Sequence, residues 1–189
     1  MEYSDAMHRL VSGQDGRVYL DTSPRVCIKG PEERDGLGYG LLADEDVFPF
    51  FELRSAAVDM RGASQKSYDN AELRKRIAAQ LDTCMAAGVR HVVLSAFGCG
   101  AFQNPSPIVA ETYKQEVLKR KEHFDVVAFA IFHAGYGPDN FSPFARAFDG
   151  WPAAATYGAD DVPLRCELRA GTGPRWALKC GSELRSRRL

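Results

Sequence analysis

HVVLSAFGCGAFQNP, residues 91–105, decides the fold. Val92-Val93-Leu94 is a short apolar run with no polar alternation, which reads as a strand buried on both faces. The next residues are small: Ser95-Ala96, then Gly98-Cys99-Gly100-Ala101, interrupted and followed by Phe97 and Phe102. Asn104-Pro105 then opens a helix, since asparagine caps well and proline is tolerated in the first turn. Strand, glycine loop and helix in that order make one half of a βαβ unit.

The flanking segments continue the pattern. Asp69-Asn-Ala-Glu72 has capping-box spacing, and Leu73, Ile77, Leu81 and Met85 recur every four residues before Gly88. This predicts an amphipathic helix over 69–87. Val109, Tyr113 and Val117 mark one face of the helix after the loop, and Asp125–Phe132 is a second doubly buried strand candidate. A last helix is predicted over 142–148. Earlier, Arg25–Lys29 and Phe50–Val58 are strand candidates. Pro49 keeps the start of the second out of a sheet centre. PEERDGLGYG, residues 31–40, reads as loop, and Ala6–Leu10 as a short helix. The expected class is α/β, with a sheet that is at least partly parallel.

Composition excludes several functions. The 189 residues carry 24 Lys+Arg against 25 Asp+Glu, a formal net charge of −1, so no field over the whole molecule calls for nucleic acid. Residues 151–189 hold seven Lys/Arg and four Asp/Glu, net +3, which leaves net −4 on residues 1–150. An anionic ligand of the main domain must therefore be held by local donors. The five cysteines (Cys27, Cys84, Cys99, Cys166, Cys180) form no CxxC pair and no zinc spacing with the four histidines. No metal or cofactor is expected. With no signal-peptide core and no membrane-length apolar run, an intracellular protein, cytoplasmic or nuclear, with no membrane partner is expected. Residues 151–189 lack an apolar period, and a loosely structured tail is expected there.

At the end of a buried strand and before a helix, the loop occupies the sheet edge where α/β proteins bind ligands. Residues without large side chains admit a bound group to the backbone, and successive N–H groups beside a helix start suit phosphate. Phe102 offers a flat face for a purine. The other reading is a tight turn with Phe102 in the core. Cys99 is open to two readings as well: a nucleophile activated by the helix N-terminus, or a small loop residue. The Cys-x5-Arg arrangement of phosphatases is broken by Pro105. His133, at the end of the second buried strand, either touches ligand or is satisfied by backbone. Gly36–Gly40 reads as a surface loop, Glu32-Glu33 beside Arg34 as solvated surface, and Arg185, Arg187 and Arg188 as too few to define a nucleic-acid site.

VVLSAFGCGAFQNP, with Val109-Ala110 and FDVVAFAIF after it, resembles the microbial-type poly(ADP-ribose) glycohydrolase family, a branch of the macrodomain superfamily. SPRVCIKG (23–30) and ELRSAAVDM (52–60) extend the match, so that it runs from about Ser23 to Phe148. The resemblance implies a mixed sheet between helices and a cleft for ADP-ribose, free, polymeric or on a modified protein. It places Gly98, Cys99, Gly100, Ala101, Phe102, Gln103 and Asn104 on the ligand: the glycine loop around the diphosphate, and Phe102 near adenine or ribose. Ser55, Ala56 and Ala57 line the same cleft by this analogy, and His133, placed at the same sheet edge by its position at a strand end, is the further candidate for its lining. It divides the chain into a lead-in (1–22), a macrodomain-like domain (23–150) and a tail (151–189).

The family's catalytic motif, a triple glycine followed by Gln-Glu-Glu, has no counterpart here. Gln115-Glu116 falls inside the helix after the loop, and only about two dozen residues precede the match. The resemblance therefore assigns no catalytic residue. It leaves three expectations: a degenerate or incomplete ADP-ribose binder shortened at its N-terminus, an active glycohydrolase whose missing parts are supplied by another carboxylate, such as Glu52 or Asp59, or by another chain, or a fragment without function.

Overall fold

The computed structural model describes residues 4–33, 38–62, 68–131, 137–150, 166–168 and 177–180. Four helices stand out among them: α1 (Asp5–Val11), α2 (Asn70–Ala86), α3 (Ser106–Leu118) and α4 (Phe141–Phe148). The longest, α2, starts as the sequence predicts. The Asp69 carboxylate accepts from the amides of Ala71 (2.8 Å) and Glu72 (3.1 Å), satisfying two donors that a helix start leaves unpaired. Glu72 does not close the capping box and instead pairs with Arg76 at 2.7 Å, one turn on. Gly88 ends the helix in the left-handed region at φ 69°, where the Val89 amide returns to the Cys84 carbonyl at 2.9 Å.

Strands β5 (His91–Leu94) and β6 (Val126–Ala130) pair in parallel, with α3 between them in sequence. Their inward residues Val92, Leu94, Val127 and Phe129 join Leu73, Ile77 and Leu81 of α2, Val109, Tyr113 and Val117 of α3, and Phe144 and Phe148 of α4 in one core. Phe129 is its hub, edge-on to Tyr113 at 5.2 Å and close to Phe144 (5.2 Å) and Phe148 (5.1 Å). The class is mixed α/β, as expected.

Double burial of these strands is not found. β5 alternates buried and exposed, and Val93 is 71% exposed. The helices cover one face, and among the described residues β5 is the edge of its sheet, whose order is β5, β6, β8, β7. Here β7 (Cys166–Leu168) and β8 (Ala177–Cys180) come from the stretch read as a loose tail: β8 pairs antiparallel with β6, and β7 with β8. The rest of 151–189, including the three tail arginines, lies outside the described residues.

Two ribbons precede this sheet. β1 (Tyr19–Cys27) pairs antiparallel with β4 (Phe48–Arg54), and Pro49 sits opposite Val26 in a pair that has no central strand. β2 (Lys29–Glu33) pairs with β3 (Gly38–Leu41), so much of the stretch read as loop is a hairpin, and residues 34–37 are not described. Pairing between neighbours overrides the low strand propensity of a Gly- and Pro-rich run.

Candidate functional site

The loop between β5 and α3 meets the segment after β4, although some forty residues separate them in sequence. Asn104 joins the two. Its side chain is buried, at 3% residue exposure. Its Nδ2 donates to the carbonyls of Val58 (2.8 Å) and Gly98 (3.1 Å), and its Oδ1 accepts from the Tyr68 hydroxyl (3.1 Å). The Met60 amide adds a bond to the Phe102 carbonyl at 3.0 Å. Asn104 is therefore not the cap of α3: Pro105 holds the N-cap position, without a side-chain hydrogen bond. A buried amide with several backbone partners gains more than an exposed cap would provide.

Gly98 is required by packing. Its φ is +72°, and a Cβ there would lie 2.5 Å from the Ala57 Cβ and 2.5 Å from Asn104 Nδ2. Gly100 differs: a Cβ on it would meet nothing within 4 Å, and the residue is exposed. The loop glycines thus divide, one toward the core and one toward open space.

The backbone donors divide as well. The amides of Cys99, Gln103 and Asn104 are spent inside the loop, on the carbonyls of Ala96, Gly100 and Gly98, each at 3.0 Å. Those of Gly100, Ala101 and Phe102 donate to no acceptor among the described residues. These three successive N–H groups lie on a turn that precedes α3, with Gly100 and Ala101 exposed. Gln103 closes the turn with a left-handed φ of 57°.

The Cys99 thiol points inward, donating to the Phe97 carbonyl at 3.7 Å, and Cys99 is buried. Burial pushes its pKa up to about 12, so the thiol is protonated at neutral pH and the nucleophile reading fails.

The 55–57 segment is fixed from beneath. Gln80 of α2, itself buried, donates to Ser55 Oγ at 3.0 Å and accepts from the Tyr113 hydroxyl at 2.7 Å. Arg76 donates to the Ala56 carbonyl at 2.9 Å, the Ala56 amide reaches the Val11 carbonyl at 2.8 Å, and Ala57 packs in the core under Gly98. Ser55, Ala56, Ala57 and the loop are thus neighbours; His133 lies outside the described residues.

Phe102 is half-buried against the core, and the guanidinium of Arg61 lies over its ring, 5.5 Å from the centroid. Arg61 escaped the sequence reading. The signal was Asp59-Met60-Arg61, a spacing that lets an aspartate fold back on the second residue after it. Tyr68, which holds Asn104, carries no such signal. Asp59 accepts from the Arg61 amide and Nε and is held well down, to about 2, first by the Arg61 side chain and then by its amide. Glu52 is lowered too, chiefly by Arg54. A general acid needs the opposite shift, so neither carboxylate is disposed to protonate a leaving group. Among the described residues no group of three or more His, Cys, Asp or Glu gathers to hold a metal, and no helix is long and apolar enough to cross a membrane.

No protein-family model matches the chain, and no curated protein matches it. It is similar in structure to poly(ADP-ribose) glycohydrolase from Deinococcus radiodurans solved in complex with ADP-ribose: 22% identity, a TM-score of 0.50, 67% of this chain and 51% of the other. A second structure of that protein with ADP-ribose gives 22% identity and a TM-score of 0.49, with 66% and 52% covered. The chain thus spans about half the length of the solved structures it matches. At this identity the likeness is one of fold.

Proposed function

We propose that the chain is an ADP-ribose-binding, macrodomain-like protein of the microbial poly(ADP-ribose) glycohydrolase family, with binding rather than hydrolysis as its activity. The observation that carries this reading is the row of three unspent amides, Gly100 to Phe102, on the exposed turn between β5 and α3. Such a row suits a diphosphate, and the fold likeness is to a protein solved with ADP-ribose. The chain's own sequence holds no triple glycine and no Gln-Glu-Glu, and the two carboxylates flanking the cleft segment are ion-paired and ionised. Without a positioned acid, about 10²–10⁴ of rate is lost from proton transfer. ADP-ribose or an ADP-ribosylated protein is the partner this reading implies.

Titration calorimetry with ADP-ribose, run beside a glycohydrolase assay on poly(ADP-ribose), tests it. The wild-type chain is expected to bind weakly and to show little or no turnover. Gly100→Glu, whose Cβ would meet nothing within 4 Å, is expected to keep the melting temperature and to lower affinity at least tenfold, about 1.4 kcal/mol. Robust turnover that Gly100→Glu abolishes would replace this reading with the active glycohydrolase.

A further inference from the structure

We infer that Arg61 is the cationic anchor of the ligand's phosphate, a guanidinium parked on Phe102 and leashed by Asp59 until a nucleoside diphosphate takes the place of the carboxylate. The inference deepens the reading of the 98–104 loop as a phosphate site and rests on it.

Arg61 is tied to the loop through its own backbone. The residue before it, Met60, donates to the Phe102 carbonyl at 3.0 Å, and Phe102 ends the row of unspent amides. The guanidinium lies 5.5 Å from the Phe102 centroid, so the cation is held over the side chain of the residue that ends that row. Its Nε reaches both Asp59 oxygens, at 2.9 and 3.1 Å, and its Nη2 is close to the second. An arginine has five N–H donors, so this pairing leaves others for an incoming oxygen.

Exposure makes the exchange inexpensive. The side chain of Arg61 is 60% exposed and that of Asp59 46%. An exposed pair of this kind is worth little in water, whereas a diphosphate brings more charge and can be held by the loop amides at the same time. The neighbouring arginines are committed to the fold. Arg76 is mostly buried and holds Glu72 and the Ala56 carbonyl, and Arg54 holds Glu52, two residues away on the same strand β4. Arg61 therefore answers the need for a local donor in a domain of net negative charge.

The test is calorimetric titration of the whole chain with ADP-ribose, ADP and adenosine at low and high salt. It compares wild type, Arg61→Ala, Arg61→Lys, Asp59→Asn and Gly100→Glu, with a thermal melt of each. The expected results are a loss of tenfold or more for both diphosphates in Arg61→Ala and a flatter salt dependence, with adenosine and the melting temperature unchanged. Arg61→Lys should recover part of the affinity, since it keeps the charge but not the planar fork. Asp59→Asn should tighten diphosphate binding by removing the competing carboxylate. An Arg61 that served only to fix the turn would give the opposite sign for Asp59→Asn, which would then weaken binding as Arg61→Ala does, and that outcome would overturn the inference. Wild-type-like affinity in Arg61→Ala, with binding still lost in Gly100→Glu, would overturn the inference alone. Failure of the wild-type chain to bind either diphosphate would overturn the phosphate reading of the loop and this inference together.

Discussion

Asn104 and Gly98 carry the geometry of the loop between them. The buried Asn104 side chain ties the Gly98 and Val58 carbonyls to the Tyr68 hydroxyl, and Gly98 has no side chain because Asn104 and Ala57 occupy that space. Asn104→Ala is expected to destabilise the chain by about 1–3 kcal/mol, the cost of leaving buried carbonyls unpaired, and Tyr68→Phe by less. Gly98→Ala adds a left-handed alanine, on the order of 1–3 kcal/mol, to a direct clash. Urea unfolding of the three variants checks the ranking, and an Asn104→Ala protein as stable as wild type would remove Asn104 from this role. The sequence made Asn104 visible for the wrong reason. An asparagine before a proline and a helix looks like a cap, and only the packing of residues distant in sequence turns it inward. Cys99 is the same lesson in electrostatics: its place in a loop before a helix is legible, whereas its burial is not.

Elements with a full helical period were legible, and strands were less so. In α2 the Asp69 cap, the Leu73–Ile77–Leu81 stripe and the Gly88 stop are all local, so the sequence contains them. The loop's place between β5 and α3 was legible for the same reason. Which face of β5 is buried was not. Valine stands at both 92 and 93, and an unbroken apolar run cannot reveal that the helices cover one side. The β2–β3 hairpin was missed because Gly, Pro and charged residues form it through cross-strand pairing. Leu94→Ala, on the covered face, is expected to cost about 2–5 kcal/mol. Val93→Thr, on the open face, is expected to stay within about 0.5 kcal/mol. Equal losses in denaturant unfolding would mean that both faces of β5 are covered after all.

At the scale of the molecule, the site is a meeting of two segments. The turn from 98 to 104 is backed by α2 and α3, and the 55–61 segment is pinned to it by Asn104, by the Met60 amide and, from below, by Gln80 and Arg76. What the sequence could show was the turn; what it could not show was which of its amides remain unspent, because that depends on the loop's internal hydrogen bonds. The central claim is that Gly100, Ala101 and Phe102 present those amides to a diphosphate. The most direct measurement is an amide-resolved NMR titration of the whole chain with ADP-ribose. The account predicts that the largest shifts fall on the amides of Gly100, Ala101 and Phe102, with smaller ones at Cys99, Gln103 and Asn104, whose hydrogen bonds stay inside the loop. Saturable binding that leaves those three amides unmoved, or no binding at all, would contradict it.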